Sequence, residues 1–401
     1  MATSAPEILD GASRTEDDQG GGVMLVAGAR PNFMKVAPIL AALERAGLPH
    51  SLVHTGQHYD ASMSASFFRD LAIRTPDHYL GVGSGSHGIQ TARVMQAFEP
   101  VLLSERPRWL VVVGDVNSTL ACALVAAKLR EETGTRIAHV EAGLRSGDWR
   151  MPEEVNRVLT DRLADVLFLP SRDARQNLVA EGIQEDRIVF AGNVMVDTLM
   201  RQLPNARARD RAGMYGLARG GYALVTLHRP SNVDDPARIL VLLTALARLS
   251  EKLPVVFPMH PRTRAAAERF GLGGFLERFI AVPPEGYLDM ISLVDCAAVV
   301  VTDSGGLQEE TTALGIPCVT VREQTERPVT VTEGTNRLVQ WPPTTDGVLT
   351  TVRAAIAEAA GLATPRSPEG WDGHAAERIV EYLAHSAVSR AASLARPAML
   401  G

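Results

Sequence analysis

Several side chains stand where their chemistry would suit proton transfer and anion binding. Asp115 follows the apolar run Trp109–Val113, Glu141 closes the run Arg136–Val140, and Glu153 follows Pro152 at a predicted helix start. Carboxylates packed together raise some of one another's pKa values, which would suit them to moving protons near neutral pH. Glu153 stands four residues before Arg157, a spacing that puts both on one helix face and allows an ion pair. On a surface such a pair is worth little. His228 follows the run Tyr222–Leu227 and His260 follows Val255–Phe257, so two histidines occupy equivalent strand ends. Arg30 and Lys35 sit where a helix begins after the first strand. Lysine is scarce beside arginine in this chain, so Lys35 reads equally as a retained functional cation or as a surface helix charge.

The stretch from Cys296 to Val321 holds the strongest local signal for an anion. An apolar run, Ala297–Val301, meets Asp303-Ser304-Gly305-Gly306, and a helix is predicted from Leu307 to near Gly315. A strand feeding a glycine-rich turn into a helix presents free backbone N–H groups to a phosphate, and glycine lets the phosphate approach closely. Ser304 adds a hydroxyl. Glu309 and Glu310 either answer the helix dipole in the first turn or hold hydroxyls of a sugar attached to the phosphate. Downstream, Arg327 could clamp a diphosphate bidentately, and Glu333-Gly334-Thr335 adds polar groups.

The elements that must position these groups alternate between strand and helix from Val23 onward. Strands are predicted at Val23–Ala27, Ser51–Thr55, Trp109–Val113, Arg136–Val140, Val166–Leu169 and Arg187–Ala191, with helices such as Phe33–Ala46 and Thr119–Glu132 between them. After a linker-like stretch around Leu203–Gly221, a second series follows at Tyr222–Leu227, Val255–Phe257, Phe279–Val282, Ala297–Val301 and Cys318–Val321. The pattern predicts an α/β protein of two Rossmann-like domains with parallel sheets. The polar residues cluster after strands, and in such sheets the ligand crevice lies beyond the strands' carboxyl ends. A cleft between two facing domains is therefore the expected site. Some of these loop residues need only cap helices, as Asn117 or Ser118 is expected to do before Thr119.

Composition narrows the function classes. The chain of 401 residues is 46% hydrophobic and 21% charged, with a formal net charge of -6 and a pI near 6.0. Such a balance argues against nucleic acid or an anionic membrane as a partner. No apolar run approaches the length of a membrane span. Residues 1–22 read as a disordered leader without the regions of a signal peptide. Cys122, Cys296 and Cys318 lie in apolar surroundings and are expected to be reduced core residues. The cytosol is the expected compartment. No metal-ligand spacing is present. Gly83–Gly88 fits G-x-G-x-x-G, but it follows no firm apolar strand and lacks the downstream acidic residue, so no nicotinamide cofactor is expected.

The motifs G-A-R-P-N-F-M-K-V-A-P, G-D-V-N-S-T-L-A, H-V-E-A-G-L-R-S, M-P-E-E-V-N-R, T-L-H-R, T-D-S-G-G-L-Q-E-E and T-E-R-P-V-T-V-T-E-G-T-N occur in order between Val23 and Glu381. Together they resemble the non-hydrolysing UDP-N-acetylglucosamine 2-epimerase family. The resemblance implies the glycosyltransferase-B architecture, a homodimer, no cofactor, and interconversion of UDP-N-acetylglucosamine and UDP-N-acetylmannosamine. It places Arg30, Lys35, Asp115, Glu141, Glu153, Arg157 and His228 around the reacting sugar, with the remaining proton-handling groups drawn from the carboxylates. Ser304, Gly305, Gly306 and Glu310 match the UDP-holding turn and the ribose carboxylate, while Arg327 and Thr335 match further contacts; His260 joins the substrate-binding set. The domains would run over 23–200 and 201–371, with a helix at about 372–395 returning to the first domain.

Two departures bear on the substrate. Asn32 stands where many members have glutamate, and Gln57-His58 continues as Tyr59-Asp60-Ala61-Ser62-Met63-Ser64. Members activated by a second bound substrate usually have Q-H-R there, and this variant is closer to a branch that includes epimerases of UDP-diacetamido-uronic acids. A uronic-acid epimerase and a hydrolysing epimerase that releases the free sugar and UDP both remain open. A glycosyltransferase of the same architecture is a rival, although no basic or membrane-facing acceptor groove is evident. A non-catalytic nucleotide-sugar binder would be expected to lack the acid–base residues that are present here.

Overall fold

The computed structural model describes residues 21–57, 70–71, 73–361 and 366–394, with side chains omitted at 30–31 and 386–394. Most of the leader, the segment from His58 to Ser64 and the side chain of Arg30 therefore lie outside the described residues.

The first sheet has seven strands in the order β3-β2-β1-β4-β5-β6-β7. They are β1 Val23–Ala27, β2 His50–His54, β3 His78–Tyr79, β4 Trp109–Val113, β5 Arg136–Val140, β6 Val166–Leu169 and β7 Ile188–Phe190. The second sheet has six, in the order β10-β9-β8-β11-β12-β13. These are β8 Ala223–Thr226, β9 Val255–Pro258, β10 Ile280–Val282, β11 Val299–Thr302, β12 Cys318–Thr320 and β13 Asn336–Leu338. Every pairing is parallel. Strands covered by helices on both faces need apolar side chains on both, which explains runs as continuous as Trp109-Leu-Val-Val-Val113. Along β1, Val23, Leu25 and Ala27 enter one core cluster while Met24 and Val26 enter another.

The longer helices, in chain order, are α1 Arg30–Arg45, α2 His87–Glu105, α3 Asn117–Lys128, α4 Pro152–Leu163, α5 Val194–Ala208, α6 Pro236–Ser250, α7 Tyr287–Cys296, α8 Gly305–Leu314, α9 Thr345–Gly361 and α10 Ala375–Leu394. In both sheets the strand order reverses at the centre, between β1 and β4 and between β8 and β11, and that reversal opens a crevice at the strands' carboxyl ends.

The stretch predicted as a linker is largely helical, because α5 runs through Ala208 and packs against both α1 of the first domain and α7 of the second. Tyr287, Leu288 and Ile291 of α7 share a core cluster with α1 and β1, so the domains meet through apolar side chains as well as across the cleft. The chain returns to the first domain through Trp371, whose indole N–H donates to the Pro170 carbonyl at 2.9 Å. Helix α10 then packs on α1, and Asp197 on α5 accepts from the backbone N–H groups of Ala375 and Ala376 at its start.

Three local expectations are corrected. Helix α8 begins at Gly305 rather than Leu307, so Glu309 and Glu310 lie beyond its first turn, buried. Val116 is the N-cap of α3, and Asn117 and Ser118 lie inside it with their side chains buried in contacts to Gln90, Asn156 and Gln57. Helix α3 stops at Lys128, and a separate short helix covers Arg130–Thr133.

Candidate active site

Two neighbouring strands of the first sheet deliver the carboxylates. Asp115 leaves β4 through Gly114, and Glu141 leaves β5. Glu141 has a φ of 70°, a left-handed backbone that costs a non-glycine residue and that persists only where surroundings impose it. Its side chain pairs with Lys35 of α1, so Lys35 is a buried partner and not a surface charge. Gly114 also has a positive φ, and a Cβ there would stand 2.6 Å from the Lys35 Nζ. Asn32 explains its own presence in the first turn of α1. Its side chain accepts from the Ala29 N–H at 3.0 Å and donates to the Val113 carbonyl at 2.9 Å, tying the end of β1 to the end of β4.

Arg157 does not pair with Glu153. Its guanidinium holds Asp115 at 2.5 Å and Glu154 at 2.8 Å. Positions three and four apart both face an arginine on a helix, and the side of α4 turned to the sheet carries Glu154, which also accepts the N–H groups of Ser146 and Gly147. Glu153 is half-buried and makes no ion pair among the described residues. The expectation that crowding would raise the carboxylates fails for Asp115. Burial works in that direction, but Arg157, Lys35 and Arg327 outweigh it and hold Asp115 below the ordinary aspartate value.

The second domain contributes Arg327. Its Nη2 lies 2.9 Å from the Glu141 Oε1, its Nε lies 2.9 Å from the Glu309 Oε2, and Glu326 is 3.7 Å from its Nη1. Burial would lower this guanidinium's pKa, but Glu309 and Glu141 push it well above the usual value. Glu309 also accepts from the Asn193 side chain at 2.9 Å. Its neighbour Glu310 is pushed up to about 8 by burial and then by Glu309.

Ser304 is the N-cap of α8 and makes no side-chain cap bond. A Cβ on Gly305 would stand 3.1 Å from the Arg327 Nη1, whereas Gly306 faces open space. The cradle and the Glu141–Arg327 bridge are therefore adjacent.

Across the switch point of the second sheet, Asp303 at the end of β11 organises the end of β8. It is fully buried, and it accepts from the backbone N–H of Arg229 at 2.9 Å and from the Asn232 side chain at 3.1 Å. The His228 Nδ1 lies 2.8 Å from its Oδ1. Nδ1–H donation to the carboxylate leaves Nε2 as the ring nitrogen open to the cleft side. Burial would raise Asp303, but His228 and the surrounding donors hold it below its ordinary value. The ring of His260 is 5.7 Å from that of His228. Its Nδ1 accepts from the Arg262 N–H at 3.2 Å, capping the helix Pro261–Arg269, and burial followed by His228 lowers its pKa. Thr335 is turned to the backbone, its hydroxyl donating to the Ile316 carbonyl at 2.7 Å.

Asp303, Glu154 and Arg229 were not singled out from the sequence as site residues. Asp303 left a signal in T-D-S-G-G, an acid directly at a strand end; Glu154 left none that separates it from Glu153. Among the described residues no group of three His, Cys, Asp or Glu is arranged to hold a metal, and no helix is long and apolar enough to cross a membrane.

Two parallel sheets, with Asp115 and Glu141 at the strand ends of the first and the Ser304–Gly306 helix start at those of the second, form an α/β fold of glycosyltransferase-B architecture. Residues 41–384 match the family model described as UDP-N-acetylglucosamine 2-epimerase, and the chain belongs to that family. A UDP-2,3-diacetamido-2,3-dideoxy-D-glucuronate 2-epimerase of Pseudomonas aeruginosa is 42% identical over 372 residues, covering 90% of this chain and 99% of that protein. The UDP-N-acetylglucosamine 2-epimerase of Methanocaldococcus jannaschii is 41% identical over 323 residues, covering 79% of this chain and 87% of that protein. A crystal structure of the M. jannaschii UDP-GlcNAc 2-epimerase in complex with UDP-GlcNAc and UDP superimposes with a TM-score of 0.80 at 38% identity, covering 90% of this chain and 99% of that one.

Proposed function

We propose that this enzyme interconverts UDP-N-acetylglucosamine and UDP-N-acetylmannosamine by eliminating UDP and adding it back. One observation carries the proposal: Arg327 of the second domain holds the first-domain carboxylate Glu141 and lies beside the start of the proposed anion cradle, 3.1 Å from where a Cβ on Gly305 would stand. A nucleotide sugar with its diphosphate at Ser304–Gly306 would thus present its sugar to Asp115 and Glu141.

Carbon 2 of the sugar has no neighbouring carbonyl, so its proton leaves only if the departing UDP is strongly stabilised. A base takes that proton, the C–H electron pair forms the C1–C2 double bond, and the bond from carbon 1 to the diphosphate oxygen breaks, giving 2-acetamidoglucal and UDP. Protonation of carbon 2 on the other face, with return of UDP to carbon 1, gives the epimer. Asp115, Glu141 and Glu153 are the proposed proton-handling set. Asp115 is kept ionised by its cations and so is free to accept a proton, although the same cations weaken it as a base. His228, held in one tautomer by Asp303, and Arg30 are proposed to stabilise the leaving diphosphate. Glu310 is assigned to the ribose, Arg157, Lys35 and Arg327 to fixing the carboxylates and diphosphate, and His260 and Thr335 to the rim of the substrate site.

The proposed domains are 23–200 and 201–371, with the returning helix counted with the first, and the protein is proposed to act as a cytosolic homodimer. Incubation with UDP-N-acetylglucosamine, followed by NMR, tests the reaction: UDP-N-acetylmannosamine is the expected product, free N-acetylmannosamine would indicate the hydrolysing reaction, and no conversion would remove the proposal. Light scattering should give twice the 43.1 kDa chain mass.

A further inference from the structure

Behind the two turns that carry Asp115 and Glu141 lies a buried pair that takes no part in the steps above. His139 is a polar residue in the apolar strand β5, and Asp161 sits on α4, four residues after Arg157. Both side chains are wholly buried, and the His139 Nδ1 lies 2.6 Å from the Asp161 Oδ1. The other ring nitrogen, Nε2, lies 2.8 Å from the Gly114 carbonyl oxygen.

A backbone carbonyl can only accept, so Nε2 must carry a hydrogen. An ionised carboxylate also only accepts, so Nδ1 must carry one as well. Asp161 has the surroundings of a carboxylate: its Oδ2 accepts from the Gly143 N–H at 3.1 Å and lies 2.8 Å from Arg145. Arg145 in turn donates to both oxygens of Glu181 at 2.7 Å. With a doubly protonated ring, these four linked side chains hold two cations, His139 and Arg145, against two carboxylates, Asp161 and Glu181. A singly protonated ring would leave one negative charge in excess, and an unmatched charge inside a protein is costly.

The pair reaches the reacting residues at two glycines of left-handed conformation. Gly114, with φ 64°, donates its N–H to the Val140 carbonyl at 3.0 Å and gives its carbonyl to His139, so both of its polar backbone groups are tied to β5 immediately before Asp115. Gly143, with φ 80°, is held by Asp161 two residues after Glu141. Helix α4 adds further ties, from Asn156 to the Asp115 carbonyl at 2.9 Å and from Arg157 to its carboxylate. Without His139 the Gly114 carbonyl would lose a buried donor, and glycine permits the rotation that would follow.

Resting on the epimerase reading above, we propose that His139, doubly protonated between Asp161 and the Gly114 carbonyl, is a positioning residue for the epimerisation. It locks the peptide that leads into Asp115, while Asp161 locks the turn that follows Glu141, so the two carboxylates keep a fixed relation to the sugar. His139 acts through the backbone and does not touch the substrate.

Two substitutions in the full-length protein separate this role from the filling of space. His139→Gln keeps an N–H donor at the ε position without the ring charge, and His139→Phe keeps a ring without any donor. With UDP-N-acetylglucosamine, kcat should fall about 10²-fold in His139→Phe, the cost of a small displacement of reacting groups, and by no more than about 10-fold in His139→Gln. KM, and UDP affinity by calorimetry, should stay at wild-type values in both. Neutron diffraction on wild-type crystals reads the ring directly, whether or not the variants fold, and should show hydrogen on both His139 nitrogens. A bare ring nitrogen, or the proton residing on Asp161, overturns the proposal and leaves the epimerase reading intact. An unchanged kcat in His139→Phe, an equal fall in both variants, or loss of UDP affinity along with kcat also overturns it, the last two by marking a general packing role. Absence of turnover by the wild-type protein removes the epimerase reading and the positioning role with it.

Discussion

Arg327 reaches out of the second domain to hold Glu141 at the end of a first-domain strand, with 2.9 Å between Nη2 and Oε1. The same guanidinium lies 2.9 Å from Glu309 on α8, so one largely buried cation neutralises carboxylates on both sides of the cleft. Removing one member of a buried charge network leaves the others uncompensated, at a cost of about 3–5 kcal/mol. Arg327→Met should lower stability in urea denaturation by that order, and a further Glu309→Gln change should recover part of it. Full stability of Arg327→Met would mean that the bridge is not formed in solution.

Asp115→Asn keeps the shape and the contact to Arg157 but cannot take a proton as a carboxylate does. Turnover should fall about 10²–10⁴-fold, the usual contribution of a general acid–base group. UDP affinity should change little, because the proposed nucleotide cradle belongs to the other domain. In deuterium oxide the wild-type product should carry deuterium at carbon 2. Retention of the original hydrogen would reject elimination and re-addition.

Asp303→Asn tests the orientation of His228. An amide can present its N–H to Nδ1 and so favour the opposite tautomer, as in the loss of about 10⁴-fold when the triad aspartate of a serine protease is changed in the same way. A loss of at least about 10²-fold in kcat is expected, with an altered pH profile and a shifted His228 imidazole resonance in NMR. An unchanged kcat would leave His228 outside the chemistry.

The two cradle glycines should behave differently. A side chain at Gly305 meets Arg327, while a methyl at Gly306 meets nothing within 4 Å in the protein. Gly306→Ala should therefore keep the melting temperature yet weaken UDP binding in calorimetry, because the methyl occupies the space that a phosphate would approach. Gly305→Val should lose both. Wild-type UDP affinity in Gly306→Ala would move the phosphate elsewhere.

Glu310 sets a pH dependence of stability. Its folded pKa of about 8 lies above the ordinary glutamate value of 4.5, so between those values the folded state binds more protons than the unfolded one. Stability contributed by this group is full below the unfolded pKa and is lost as pH rises through about 8. Glu310→Gln should remove that loss, so the variant should melt progressively higher than the wild type as pH is raised from acid to mildly alkaline. A difference in melting temperature that does not grow with pH would show that Glu310 ionises normally. Glu309, whose charge also raises Glu310, should be left unchanged in this comparison.

The sequence by itself determined the elements and where their chemistry falls. Apolar runs such as Trp109–Val113 and Ala297–Val301 read as buried strands between helices, and the polar residues that follow them must then lie at one end of each sheet. Asp115, Glu141, His228 and Ser304–Gly306 were legible for that reason. Tertiary structure decided which of them touch and how they are charged. The choice of Glu154 over Glu153 as the partner of Arg157 depends on which side of α4 meets the sheet, and both spacings suit an arginine on a helix. The depression of Asp115 depends on Arg157 and Lys35 from its own domain and Arg327 from the other, brought together from positions far apart in the chain. Burial and Coulomb attraction act through space, so the same side chain can be raised or lowered by neighbours that sequence spacing does not reveal.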